Sequence, residues 1–134
     1  MYAKEFRVEI VTPVEKKFEG TCSEVILPGI EGEMAVLGGH APLLTMLSPG
    51  VTLTLESGKK TLLSTGEGFA TIAEDKVVCL VDFAFTADEL DFAALRKEKL
   101  ELMSALQASP GDQELRAKKE QIDAKLKAER YGKS

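Results

Sequence analysis

Glycine and proline are spread unevenly along this chain, and that asymmetry limits what it can fold into. Nine of the eleven Gly and four of the five Pro precede residue 87. Beyond that point only Pro110, Gly111 and Gly132 interrupt a run rich in Ala, Leu, Lys and Glu. Both residue types oppose helix interiors, Gly through backbone entropy and Pro through its missing N–H. Short turn-linked strands are therefore expected first and helices last, with the boundary at Phe85–Thr86. The expected fold is mostly β with α: a β-sandwich domain over residues 1–85, then an antiparallel two-helix hairpin over residues 86–134.

Alternation supports the strands. Phe6, Val8 and Ile10 alternate with Arg7 and Glu9, which suits a strand with one buried face. Val25–Leu27 stops at Pro28-Gly29, and Met34–Leu37 stops at Gly38-Gly39. Val51–Glu56 alternates again and meets Ser57-Gly58, a hairpin turn into Thr61–Leu63. Phe69–Ala73 and Val77–Val81 flank Glu74-Asp75, a second hairpin signal. At least seven such strands suggest a small sandwich or flattened barrel.

The last part predicts two helices. Thr86-Ala-Asp-Glu89 reads as a capping box, with Phe85 and Leu90 as a hydrophobic staple, so the first helix is expected from here to about Gln107. Ser109–Asp112 ends it and caps the next, with Pro110 tolerated in a first turn and the end near Tyr131-Gly132. At 100° per residue, Phe92, Leu95, Leu102, Met103 and Leu106 form one stripe, and Leu115, Ile122 and Leu126 a narrower one. So few apolar side chains on so long a segment predict a hairpin that leans on the sandwich or a partner, and that can detach while the sandwich stays folded.

Chemistry is sparse. The formal charge of −5 and pI near 5.0 argue against a nucleic-acid binder. The whole excess lies in residues 1–86, with 7 basic and 12 acidic side chains, whereas residues 87–134 carry 10 of each. His40 is the sole His and no motif pairs it with a nucleophile, so it reads as a loop residue bonded locally or lying at a contact surface. Cys22 and Cys79 lack ligand spacing and read as buried free thiols, which with the absence of a signal peptide points to a reducing cytosol. Gly29-Ile-Glu-Gly32 and Ser57-Gly-Lys-Lys60 fail as phosphate loops and read as turns. No catalytic residue, metal site or cofactor is expected, and no apolar run is long enough to span a membrane.

Arg116, Lys119, Lys127 and Arg130 fall within about 80° on the second helix. Asp123 lies among them and can pair with Lys119 and Lys127. The face reads either as solvated and internally paired, or as a docking surface for an acidic segment.

Taken together, the chain resembles the epsilon subunits of bacterial rotary (F-type) ATP synthases. The resemblance rests on Val8-Glu-Ile-Val-Thr-Pro13, Phe18-Glu-Gly20, Leu47-Ser-Pro-Gly50, Gly66-Glu-Gly-Phe69 and, above all, Pro28-Gly-Ile-Glu-Gly-Glu-Met-Ala-Val-Leu-Gly-Gly-His-Ala-Pro-Leu-Leu-Thr45. It implies a ten-stranded sandwich, a helical hairpin, and a non-catalytic place in the rotor of a proton-translocating enzyme. The implied partners are the gamma subunit and the c-ring, with Glu31, Gly32, Glu33 and His40 at that interface. A hairpin extended along gamma would reach the alpha and beta subunits and inhibit ATP hydrolysis, with Arg116, Lys119, Lys127 and Arg130 as docking residues. The chain would be monomeric when isolated. In its assembly it would sit peripherally on the cytoplasmic face of the inner membrane, without inserting. Some members bind ATP on the folded hairpin through Ile/Leu-Asp-x-x-Arg-Ala. Here Leu90-Asp91 are present, but Ala94 and Leu95 take the next two motif positions. Arg96 lies about 140° around the helix from Asp91, so these two residues are weak nucleotide candidates. The competing reading, a free nucleotide-sensing module, would need that missing Arg.

Overall fold

A computed structural model describes residues 4–39 and 41–131 of the chain. Among the described residues ten strands come first. They are β1 (Phe6–Val11), β2 (Lys16–Cys22), β3 (Glu24–Gly29), β4 (Gly32–Leu37), β5 (Leu43–Leu47), β6 (Gly50–Glu56), β7 (Lys59–Thr65), β8 (Gly68–Ile72), β9 (Lys76–Val81) and β10 (Ala84–Phe85). A single 3-10 turn at Ala87–Glu89 leads to helices α1 (Phe92–Ala108) and α2 (Gln113–Tyr131).

The strands pair in the order β10-β7-β6-β3-β5-β8-β9-β1-β2, with β4 on the free side of β3. Strand β3 shares its second side: Glu24 to Ile26 pair with β6, whereas Gly29 alone pairs with Leu47 of β5. The sheet folds over at that corner into two layers. Their inner faces carry the residues whose alternation is visible in the sequence: Phe6, Val8 and Ile10 from β1, Val25 and Leu27 from β3, and Val77, Cys79 and Val81 from β9. Burial of these side chains is the main stabilising term of the sandwich. The Ser57-Gly58 turn has positive φ at both positions, 50° and 81°, the primed-turn geometry that matches strand twist. Cys22 and Cys79 lie opposite the two ends of β1, against Phe6 and Ile10, so they are separate free thiols. Burial pushes them up to about 11 and about 12, and keeps both unreactive at neutral pH.

The helical part departs from the sequence reading at its start. Glu89 does reach back, accepting from the Thr86 N–H at 2.8 Å and the Thr86 hydroxyl at 2.9 Å. That cap closes only the 3-10 turn, and Leu90 follows in an extended conformation. A second cap, Asp91 accepting from Ala94 N–H at 3.1 Å, starts α1 at Phe92. Leu90 is therefore no staple residue of a continuous helix. Pro110 likewise sits in the connecting turn rather than in a first helical turn, and Asp112 caps α2 through the Glu114 and Leu115 N–H groups. The Gly132 end of the second helix lies outside the described residues.

Packing in the hairpin is layered, with α2 on β6 and β7 and α1 on α2. Among the described residues of the hairpin only Ile122, Ala124 and Ala128 are buried, and α1 buries none of its residues. Met103, expected in the inner stripe, is 43% exposed. The half-buried positions of α1 are instead Phe92, Leu95, Lys99, Leu102, Ala105 and Leu106, a stripe in which Lys99 takes an inner place. Its ammonium meets Asp123 of α2 at 2.8 Å. Beneath α2, Val51 lines a groove with Lys127 and Arg130, so Ser64, directly opposite Val51, shares the α2-facing side of β7. Ser64 is fully buried and its Oγ has no hydrogen-bond partner among the described residues.

Candidate functional site

Among the described residues no group of three or more His, Cys, Asp or Glu is arranged to hold a metal ion. The informative features are surfaces. On β5, β8 and β9 the register places Met46 opposite Phe69 and Phe69 opposite Leu80, one apolar row across three strands. Met46 is 55% exposed and Phe69 and Leu80 about two-fifths, and Leu44 and Ile30 extend the patch. Across these strands Ala70, Ile72 and Cys79 are already buried in the core, so the exposed row is surplus to folding. An apolar area of this kind on an otherwise charged chain marks a place where another molecule packs. Sequence reasoning missed it, although a signal was present. Leu43–Leu47 and Val77–Val81 run almost continuously apolar, as strands do when both faces are covered.

Strand β4 is an edge strand, paired among the described residues only with β3. Its N-terminal end is the turn Ile30-Glu31, closed by the Gly29–Gly32 pair, and Gly32 has the positive φ of 131° that favours glycine. Glu31, Gly32 and Glu33 are all exposed there. His40 lies outside the described residues. Its neighbour Gly39 is at the far end of β4 and donates to Glu74 O at 3.2 Å. Six residues of strand put roughly 17–20 Å between the two ends. The acidic turn and the Gly38-Gly39 segment are thus not one cluster but the two ends of an exposed edge.

The four basic residues of α2 share one arc of a continuous helix, as their spacing predicts, but they do not share one environment. Arg116 Nε donates to Pro110 O at 2.9 Å, folding back on the interhelical turn. Lys119 meets Asp123 at 2.9 Å, and the second partner of that carboxylate is Lys99 rather than Lys127. Burial raises the Asp123 pKa, but hydrogen bonds from Lys99 and Lys119 outweigh it and the net shift is downward. Lys127 and Arg130 remain without an ion pair among the described residues. They line a groove of about 330 Å³ with Glu33, Gly32 and the Ser48–Val51 segment. The fold therefore brings one acidic turn residue and two of the basic tail residues to the same groove.

The nucleotide candidates are occupied otherwise. Asp91 caps α1, and Arg96 donates through Nη1 to both Glu129 oxygens, at 2.7 and 2.8 Å. At the junction between strands and helices, Lys17 of β2 meets Glu89 at 2.7 Å. That contact, with the Thr86 bonds, holds Glu89 down at about 2. Lys125 of α2 stands over the paired rings of Phe83 and Phe85, 4.8 and 5.3 Å from their centroids.

Residues 5–87 match the family model described as ATP synthase, Delta/Epsilon chain, beta-sandwich domain. An ATP synthase epsilon chain 2 of Ralstonia nicotianae is 41% identical over 103 residues, covering 76% of this chain and 74% of the relative. An ATP synthase epsilon chain of Pelotomaculum thermopropionicum is 40% identical over 93 residues, 69% of each chain. A chain in the Euglena gracilis mitochondrial ATP synthase (OSCP/F1/c-ring) superposes with a TM-score of 0.81 over 98% of this chain and 83% of that one. At 21% identity that likeness establishes the fold alone. Among the described residues no helix is long and apolar enough to cross a membrane.

Proposed function

Because the chain belongs to the family of ATP synthase epsilon chains, we propose that it is the central-stalk rotor subunit that couples the c-ring to the gamma subunit in a proton-translocating ATP synthase. It makes and breaks no bonds itself, and it sits peripherally on the cytoplasmic face of the inner membrane. Residues 1–85 form the coupling unit and residues 86–134 a regulatory hairpin that inhibits ATP hydrolysis when it leaves the sandwich.

The observation that carries this reading is the exposed Met46–Phe69–Leu80 row. Covering such side chains is worth roughly 1–2 kcal/mol apiece, a contribution to docking that polar contacts around the row would supplement. The gamma subunit is the occupant of this face. The c-ring meets the edge strand β4, with Glu31, Gly32 and Glu33 at one end; His40 is the further residue assigned to this contact. Exposed carboxylates there suit the polar loops of a ring, through charge-assisted hydrogen bonds.

Hairpin release is supported by how little holds α2 down. Among the described residues its buried side chains are one Ile and two Ala, and the strand beneath it carries an unpartnered hydroxyl. A two-state element needs states separated by only a few kcal/mol. Once released, Lys127 and Arg130 are free to meet an acidic segment of a beta subunit, with Arg116 and Lys119 following if their present contacts break.

Phe69→Glu tests the central claim, since the side chain is exposed and the change spares the core. The variant should fail to co-purify with the membrane-bound enzyme, with affinity for the remaining complex lowered by at least about tenfold. Full retention of the Phe69→Glu chain would refute docking through this face.

A further inference from the structure

The apolar row runs into a groove that the sandwich shares with one residue of the hairpin. Where the outer face of β5 and β8 meets α2, a concavity of about 550 Å³ has Ile30, Met46 and Phe69 on its floor. Three carboxylates line it as well: Glu67, Asp82 and, from α2, Glu120. Asp82 N–H donates to Glu67 O at 3.1 Å, which fixes those two acids side by side. All three are exposed, and none forms an ion pair among the described residues. Many of the other acids do have cationic partners: Glu9, Glu19, Glu74, Glu89, Glu114, Asp123 and Glu129.

An apolar floor edged by unpaired carboxylates is complementary to one kind of side chain. Lys and Arg lay a long aliphatic stem on apolar surface and carry the charge at its end. A guanidinium or ammonium placed here would gain charge-assisted hydrogen bonds to carboxylates from both parts of the chain. We propose that a Lys or Arg of the gamma subunit enters this groove and is held jointly by Glu67 and Asp82 of the sandwich and Glu120 of the hairpin. The proposal rests on the rotor reading above and adds a regulatory consequence. A cation that touches Glu120 favours α2 in its docked place, and by reciprocity a docked α2 raises the affinity for gamma. Partner binding and hairpin position are thereby coupled through one side chain.

The test uses the full chain and an assembled alpha–beta–gamma complex lacking its epsilon chain. Glu120→Gln should weaken binding about two- to fivefold, the range of an exposed ion pair. The triple variant Glu67→Gln/Asp82→Asn/Glu120→Gln should weaken it more than about tenfold and flatten the salt dependence of binding. Amide exchange adds a readout of coupling: complex formation should slow exchange in α2 of the wild-type chain, and this protection should be lost in Glu120→Gln. Binding of Glu120→Gln and of the triple variant within error of wild type would overturn the proposal, as would α2 exchange that gamma leaves unchanged. Phe69→Glu separates the two claims. If it abolishes binding while the carboxylate variants bind normally, the rotor face stands and the shared cation falls. If the wild-type chain does not bind the complex, both fall.

Discussion

Ser64 Oγ is enclosed beneath α2 without a hydrogen-bond partner among the described residues, in a residue with no exposed surface. A buried hydroxyl in that condition costs about 1–3 kcal/mol relative to its hydrated state. The cost exists only while α2 covers β7, because undocking returns the hydroxyl to water. Ser64→Ala removes the group and leaves a gap of a single oxygen, so a little dispersion is lost against the larger desolvation gain. The net expectation is a docked state stabilised by about 1 kcal/mol, roughly fivefold in the docking equilibrium. Native-state amide exchange on the full chain reads this directly. Ser64 is equally hydrated in the undocked and in the fully unfolded chain. Amides of α2 that open by undocking and amides of β1 and β9 that open by global unfolding should therefore slow by the same factor. Unchanged or faster exchange in α2 would refute the argument, because it would mean that the hydroxyl is satisfied in the docked state.

Lys125→Met keeps the apolar stem and removes the ammonium from the Phe83–Phe85 pair; α2 docking should weaken by about 1 kcal/mol, roughly fivefold in α2 exchange rate. The Lys17–Glu89 contact gives an acid signature. Glu89 is held below its ordinary value of 4.5, at about 2, first by Lys17 and then by Thr86. Its stabilisation is complete above pH about 4.5 and is lost as pH falls towards about 2. Acid titrations of stability should show Glu89→Gln with a shallower decline across that window than wild type. Ending the chain after Ala87 should leave proton-coupled synthesis intact and raise ATP hydrolysis in the assembled enzyme, and unchanged hydrolysis would remove the inhibitory role of the hairpin.

Periodicity made the strands legible because each short run has one buried face and a punctuated end. The Ser57-Gly58 turn and the inward Phe6, Val8 and Ile10 needed nothing beyond local physics. The start of the first helix is ambiguous in the sequence because two capping sequences follow each other. Thr86–Glu89 satisfies every local criterion, yet the chain must turn from β10 towards α2, and Asp91 opens the helix in the new direction. Lys99 was illegible as an inner residue because its partner, Asp123, lies on the other helix. The docking row was concealed for a related reason. A residue such as Met46 or Leu80 looks like core until the register shows which face it occupies, and register is a property of pairs of strands. The basic tail residues illustrate the limit of spacing alone: four positions on one helical arc acquire different partners once α1 and the Pro110 turn are in place.

The parallel pairing of β1 with β9 sets an order of assembly. Arg7 to Val11 sit between β2 and a strand that begins at Lys76, so the first strand made is completed by one of the last. Contacts this distant in sequence are slow to form. During synthesis β1 and β2 must remain as an unprotected hairpin, with an unpaired edge, until most of the sandwich has emerged. The helices follow later still, so α2 arrives at a surface of β6 and β7 that is already built. A nascent chain stalled before Lys76 should thus be the species most prone to aggregate, and one stalled within α1 should already hold a closed sandwich.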